Sequence, residues 1–297
     1  MASTLEIKNR IKSVRDTQKI TNAMYLISST KMRKARRDAE QAKPYFDLMR
    51  KEIRRMFAVS DDLKSKYFNS AVDDDAQGGR YGIVVITADK GLAGVYNQSV
   101  IKEALKLIAK ADSSRIYTVG EYGRRYFLAH GYPLSEEFDH PMYEPDLGRA
   151  RIMTTELLEA FDRDEFDRLY ICYTDFTGGM TPGEPMNTRL LPFDRDDFIP
   201  EGEEHDRDAS TVFEYEPDVE TVLENIVPSY LAGYFYAALV SSYSSEQNAR
   251  MMAMDAANDN ASELLAELSL EYNHVRQNAI TQEITEISSG ARAQNKK

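Results

Sequence analysis

The two ends of this chain contain long segments without glycine or proline, and this feature constrains the fold more than any other. Residues 1–43 contain neither residue type, and neither do residues 234–289. Because turns and helix ends commonly use glycine or proline, segments of this length that lack both favour long helices. A helix over residues 234–289 would be about 84 Å long. We expect a helix of that length to pack against a second long helix rather than to stand alone.

Both segments carry a repeat that alternates spacings of four and three residues. The repeated positions near the N terminus are Ile7, Ile11, Val14, Gln18, Thr21, Tyr25, Ser28, Met32 and Ala35. Those near the C terminus are Met251, Met254, Asn258, Ala261, Leu265, Leu268, Tyr272, Val275 and Ala279. Sustained heptads predict a coiled coil. Polar residues at some of these positions lower its stability but can fix its register.

Charge is distributed unevenly along the chain. Residues 1–60 hold 15 Lys and Arg against 6 Asp and Glu, whereas the remaining residues hold 22 against 43. The basic N-terminal helix and the acidic C-terminal helix are therefore predicted to pair with each other, antiparallel, with Ile11 opposite the last three turns before Gly290. A basic arm is also typical of nucleic-acid binding, but no aromatic stacking pattern or reader motif accompanies it, so we predict no nucleic-acid partner.

The middle of the chain alternates between strand and helix patterns. Strands are predicted over residues 81–87, 115–119 and 168–174, and helices over 95–109, 121–130 and 147–161. An acidic loop over 194–220 is predicted to contain an edge strand at 210–215. Such alternation indicates a mostly parallel, Rossmann-like α/β domain. The predicted organisation is thus an N-terminal coiled-coil helix over 1–77, an α/β domain over 78–216 and a C-terminal coiled-coil helix over 217–297.

The candidate chemical motifs are weak. The sequence DKGLAGVYN lies where a doubly wound fold binds phosphate, but it has only Gly91 and Gly94 and no P-loop lysine, so a tight turn is favoured. A second glycine-rich stretch at 175–185 is interpreted as a plain connection. Cys172, the single cysteine, is predicted to be a buried structural thiol, and no metal-ligand spacing occurs. The uncharged stretch 225–245 contains a proline, a glycine and many serines and tyrosines, which favours a helix buried by protein over a membrane span. We predict no cofactor, no metal and no transmembrane segment.

The two ends, taken together, resemble a known family. The sequences IKNRIKSVRDTQKITNAMYLISSTKMRKA and SEQNARMMAMDAANDNASELLAELSLEYNHVRQNAITQEITEISSGARA are similar to the terminal signatures of the gamma subunit of rotary F-type ATP synthases. TADKGLAGVYN resembles the central turn of the same family, so the likeness covers the whole chain in order. Ala93 and Val95 depart from the family's more usual cysteine or glycine.

This resemblance implies a non-catalytic rotor shaft. The implied partners are an alternating hexamer of alpha and beta subunits around the coiled coil, an epsilon subunit and the proton-driven c-ring of the membrane. The implied location is the cytoplasmic side of the cell membrane, as a peripheral protein, without a span of its own. The residues that match the family's contacts to the surrounding subunits are Met24, Arg250, Arg276, Gln277 and Thr281.

The basic residues of the first helix belong to the same expectation. Charge together with the resemblance implies that acidic loops of the beta subunits face Lys31, Arg33, Lys34, Arg36 and Arg37. Pairing of this helix face with the chain's own acidic helix is the alternative, and both can hold along different turns.

Two other functions are compatible with the residues alone. The first is an enzyme with a degenerate dinucleotide-binding domain and helical oligomerisation arms. The second is a nucleic-acid binder that uses the basic arm. Nucleotide affinity of the isolated chain would favour the former, and steeply salt-dependent retention on DNA would favour the latter.

Overall fold

The structure is a computed structural model that describes residues 4–59, 65–68, 78–176, 181–193, 198 and 214–294. Its elements are α1 Thr4–Val59, β1 Arg80–Ile86, α2 Tyr96–Ile108, β2 Ser113–Val119, α3 Glu121–Ala129, β3 Leu134–His140, α4 Leu147–Asp162, β4 Arg168–Asp175, β5 Glu184–Leu191 and α5 Val219–Gln294. The chain divides into two compact units. We call Met1–Ser28 with Arg250–Lys297 the coiled-coil unit, and Ser29–Ala249 the α/β unit.

In the coiled-coil unit, α1 and α5 pack along the predicted seam. Every predicted seam position of the described chain is buried or half-buried, with the exception of Ala279, and the side chain of Ile7 is only 1% exposed. Gln18 Nε2 donates to Ser262 Oγ at 2.9 Å, and Thr21 Oγ1 donates to Asn258 Oδ1. Since the later position on α1 pairs with the earlier position on α5, the helices are antiparallel. The prediction of an antiparallel coiled coil is confirmed.

The same hydrogen bonds correct the predicted register. Ile11 lies two turns before Gln18 on α1, and Ser269 lies two turns after Ser262 on α5. Ile11 therefore faces the region of Ser269, and the prediction that it lies opposite the last three turns before Gly290 was wrong. The described part of α1 begins at Thr4, and in this register Thr4 lies opposite Arg276. Ala279 lies beyond that point on α5, so it has no described α1 residue to face.

The α/β unit contains a five-stranded sheet in the order β3-β2-β1-β4-β5. Strands β1 to β4 are parallel to one another, and β5 pairs antiparallel with β4. The Rossmann-like, mostly parallel fold is confirmed, as are the three predicted strands and three predicted helices.

Strands β3 and β5 were not predicted, because β3 is acidic and β5 begins with Glu184 and Pro185 at a sheet edge. Of the predicted edge strand at 210–215, residues 210–213 lie outside the described residues, and Tyr215 lies outside any strand.

Both faces of the sheet are covered. Ile83 and Val85 of β1 pack with residues of α2 and α3, whereas Val84 and Ile86 belong to a larger core with α4 and with the parts of α1 and α5 in this unit. The uncharged stretch of α5 lies in this larger core, as predicted. Gly233 allows the close approach, because a Cβ there would lie 1.9 Å from the ring of Phe46 on α1. No helix in the described parts of the chain is long and apolar enough to span a membrane.

Candidate functional site

The C-terminal part of α5 continues past the point where α1 can cover it. Every residue over 276–291, which we call the α5 end, is exposed, whereas the seam before it is buried or half-buried. At 1.5 Å per residue this segment is about 23 Å long. An isolated helix of this length is only marginally stable in water, because tertiary packing supplies most of the stability of helices in proteins. The α5 end therefore has the properties of a surface that packs against another molecule.

The α5 end combines an apolar stripe with polar groups. Ile280, Ile284 and Ile287 keep a four-three spacing and are 45%, 61% and 73% exposed. The hydroxyl of Thr281 donates to the Gln277 carbonyl at 2.8 Å, so it is satisfied within the helix. Single exposed apolar residues are common on protein surfaces, but a stripe on one helix face is typical of an interface. The arrangement can bind a protein surface through its isoleucines and exchange hydrogen bonds through its polar side chains.

A second candidate site lies at the carboxyl ends of β1 and β4, where doubly wound folds bind nucleotides. Here the N terminus of α3, the helix that follows β2, binds a carboxylate of the chain itself. Asp89 Oδ1 accepts from the backbone N–H of Glu121, the first residue of α3, at 3.1 Å and from that of Met142 at 2.8 Å. The next two amides of α3 donate to the Ala88 carbonyl and to Thr87 Oγ1. The first three backbone amides of α3 are thus used internally.

α5 packs against the carboxyl end of β4. Ser241 Oγ donates to Asp175 Oδ1 at 2.8 Å and accepts from Phe176 N at 2.8 Å. Tyr96 OH and Ser242 Oγ lie 2.7 Å apart. Gly183 allows α5 to lie this close, because a Cβ there would be 2.5 Å from Ser245 Oγ. These contacts hold α5 against α2 and the end of β4.

The basic residues of α1 have partners inside the α/β unit. Lys34 Nζ forms an ion pair with Glu144 Oε2 at 2.6 Å, which raises the pKa of Lys34 and lowers the pKa of Glu144. The guanidinium of Arg36 lies over the ring of Phe176, 5.3 Å from its centre. Glu144 lies in the segment that follows β3, so these partners do not come from the acidic helix. Both cations are surface groups, and such contacts are weak and readily exchanged.

The thiol of Cys172 is buried in β4, and burial raises its pKa, which fits the predicted structural role. Among the residues that the structure describes, no three His, Cys, Asp or Glu side chains group as metal ligands would.

Comparison with known proteins identifies the family. The sequence matches the family described as ATP synthase over residues 3–294. The ATP synthase gamma chain of Acetivibrio thermocellus is 39% identical over 296 residues, which cover 99% of this chain and 99% of that protein. The chain belongs to the ATP synthase gamma chain family.

Further relatives agree with this assignment. A gamma chain of Acetobacterium woodii, named as sodium ion specific, is 36% identical and covers 98% of each chain. In the mitochondrial ATP synthase of Tetrahymena thermophila, a chain from the central stalk and c-ring structure has the same fold, with a TM-score of 0.58 and 20% identity. The likeness covers 80% of this chain and 99% of that chain. A chain from the Euglena gracilis mitochondrial enzyme has a TM-score of 0.54 at 15% identity, over 92% of this chain and 95% of that chain.

The five residues that the resemblance led us to expect as contacts fall into two groups. Arg276, Gln277 and Thr281 lie together on the α5 end and are exposed. Met24 and Arg250 lie elsewhere in the coiled-coil unit and are half-buried. The structure thus brings three of the five together on a surface that α1 does not cover.

Sequence reasoning missed the groups that join α3 to β1 and α5 to the end of β4. Asp89 was included in a motif that was interpreted only as a tight turn, and residues 241–245 were noted only as part of an uncharged stretch. The signal was present in that run, because seven consecutive polar or aromatic residues over 242–248 are all buried. Buried polar residues generally require partners, and Ser245 and Asn248 find theirs in the carbonyls of Thr174 and Thr181.

Proposed function

We propose that this chain is the central rotor shaft of an F-type ATP synthase. It couples proton flow through the membrane ring to ATP synthesis or hydrolysis at the catalytic beta subunits, and it is itself non-catalytic. The observation that carries the proposal is the α5 end, a helical surface with exposed isoleucines and exposed polar side chains that α1 does not cover. A ring of subunits around this segment would bury the isoleucine stripe and meet the polar groups.

The proposed partners follow from the family. They are the alternating hexamer of alpha and beta subunits around the coiled coil, an epsilon subunit and the c-ring, with the chain peripheral to the membrane on its cytoplasmic side. We propose that the segments 1–77 and 217–297 supply the shaft and that 78–216 supplies the α/β domain. Nucleic acid is not a proposed partner, since Lys34 and Arg36 contact groups of the chain itself.

The proposed contact residues are Met24, Arg250, Arg276, Gln277 and Thr281. Contacts that change as a shaft turns must form and break at each step. Charge-assisted hydrogen bonds suit this task, because they are strong where a partner is in place and do not require tight packing. Different contacts at three catalytic sites would bias those sites towards different states, which is a coupling of binding free energies.

The test is a paired measurement on the double variant Arg276→Ala with Gln277→Ala. Because both side chains are exposed, the free energy of unfolding of the free chain should change by less than about 0.5 kcal/mol. In the assembled complex ATP turnover should fall at least tenfold, since each lost charged hydrogen bond is worth about 1.5–3 kcal/mol.

A matched control is Ile7→Ala, which removes a buried seam side chain of the same unit. It should lower the free energy of unfolding by about 2 kcal/mol or more. If the double variant instead destabilises the free chain as Ile7→Ala does and leaves turnover unchanged, the residues serve the coiled coil and the contact assignment is wrong.

A further inference from the structure

A cavity of about 400 Å³ lies between α1 and α5 inside the α/β unit. Its walls are mostly apolar and include five aromatic side chains, Phe46, Phe176, Tyr230, Tyr234 and Tyr236. Small-molecule sites in proteins have volumes of roughly 300–1,000 Å³ and combine apolar walls with a few well-placed polar groups. The cavity therefore has the size and the lining of a small-molecule site.

The cavity differs in polarity along its length. Phe46 of α1 lies against Gly233 of α5, where an added Cβ would meet its ring. Because the helices are antiparallel, Arg36, ten residues before Phe46, lies near the level of Ser244, eleven residues after Gly233. All four residues line the cavity. It therefore runs along α1 from a polar end at Arg36 to an aromatic region at Phe46, about 15 Å away.

Ser244 supplies an unused hydroxyl at the polar end. The side chain is 1% exposed, and in the part of the chain that the structure describes its Oγ has no hydrogen-bond partner. Serines within helices often donate to the carbonyl four residues earlier, as Ser262 and Ser269 do on the same helix. A buried polar group without a partner is unfavourable, so a ligand that reaches this hydroxyl from the cavity gains a hydrogen bond.

Arg36 supplies the charge at the same end. Its guanidinium lies over the ring of Phe176, 5.3 Å from the centre, and no carboxylate of the described residues forms an ion pair with it. The exposed rim of the cavity carries three cations and two carboxylates, namely Arg36, Lys43 and Arg50 with Glu40 and Asp47. One further negative charge would make this rim neutral.

We propose that this cavity binds a small amphipathic carboxylate, with its carboxylate between Arg36 and Ser244 and its apolar body against the aromatic walls. The guanidinium and the hydroxyl both donate hydrogen bonds to a carboxylate, and those from the charged donor are the stronger. The apolar body removes the aromatic walls from water. A neutral molecule of the same shape gains the second contribution without the first, so the contact with Arg36 distinguishes the acid from it. The site uses none of the residues of the α5 end and does not rest on the proposed function.

The test is isothermal titration calorimetry of the full chain with sodium octanoate, and with 1-octanol as the neutral counterpart. Octanoate should bind saturably to the parent chain. Ala237→Trp places a large side chain on the exposed wall of the cavity and should abolish this binding without lowering the melting temperature. Arg36→Gln should weaken octanoate about tenfold and leave octanol unchanged, and Ser244→Ala should weaken octanoate about threefold. The control Arg33→Gln, at an exposed arginine of the same helix outside the cavity, should keep the parent affinity within about twofold.

Heats that do not saturate, or equal binding of octanoate by the parent chain and by Ala237→Trp, would overturn the proposal. It would also be wrong if Arg36→Gln weakened octanoate and octanol equally, or if Arg33→Gln weakened octanoate as much as Arg36→Gln does. Weaker octanoate binding in Arg36→Gln, with the octanol affinity and the melting temperature of the parent, supports recognition of a carboxylate at this site.

Discussion

Asp89 provides a sharp test of how the end of β1 is joined to the N terminus of α3. Its half-buried carboxylate accepts two backbone N–H groups, from Glu121 and Met142. Hydrogen bonds to a charged group contribute about 1.5–3 kcal/mol each, and we take the lower figure because the carboxylate is partly in water. Asp89→Ala should therefore lower the free energy of unfolding by about 3 kcal/mol. Urea denaturation followed by the near-ultraviolet circular dichroism of the buried tyrosines measures this loss.

Two comparisons make the reasoning refutable. Asp89→Asn keeps an accepting oxygen without the charge and should lose about half as much free energy. In Asp89→Ala the two amides are free to bind a small carboxylate, so sodium formate should restore part of the stability, whereas sodium chloride at the same ionic strength should not. A loss below about 0.5 kcal/mol for Asp89→Ala, or equal effects of formate on the variant and the parent, would show that the carboxylate does not substitute for an anion there.

Two further predictions concern single side chains. Leu268→Ala should lower the free energy of unfolding by about 2–3 kcal/mol, because the side chain is only 4% exposed. Leu270→Ala should change it by less than about 0.5 kcal/mol, because that side chain is 73% exposed. Equal losses of free energy in urea denaturation would contradict the placement of Leu268 in the helix–helix seam. The Arg80 guanidinium, hydrogen-bonded to Asp167, holds the pKa of that carboxyl below its usual range. The ion pair therefore stabilises the fold above the unfolded-state pKa of about 3.9, and this stability is lost as the pH falls through the lower folded-state pKa. The free energy of unfolding should decline less steeply below pH 4 in Asp167→Asn than in the parent chain. The same decline in both proteins would contradict a stabilising ion pair between Arg80 and Asp167.

The coiled coil was predictable because its signal is local and repetitive. Positions from Ile7 to Ser28 and from Met251 to Val275 were identified from spacing alone, and burial follows that spacing. The register was not predictable from the same pattern, because heptads match equally well after a shift of seven residues. The facing pairs Gln18–Ser262 and Thr21–Asn258 reveal it, and which residues face each other is a property of the folded pair. For this reason Ile11 was predicted to face the wrong part of α5, and Ala279 was predicted to lie in the seam although it is exposed.

The α/β unit was predictable where strands are buried on both faces. The apolar runs of β1 and β4 gave a clear signal, since central parallel strands exclude polar residues. The edge strands β3 and β5 are partly exposed and carry Glu136, Glu137 and Glu184, so their composition resembles that of loops. The contacts of α5 with the end of β4 could not be derived from local patterns, because they join segments far apart in the sequence.

The internal carboxylate and the α5 contacts at the end of β4 have a consequence for the behaviour of this chain among nucleotides. A protein that binds a ligand in its folded state becomes more stable as the ligand concentration rises. Here Asp89 binds the N terminus of α3 and Ser241 of α5 binds Asp175, and both partners are part of the chain at fixed effective concentration. The stability that these contacts supply therefore does not depend on the concentrations of ATP and ADP. A part that works beside catalytic sites where nucleotides bind and leave would keep constant stability while their concentrations vary.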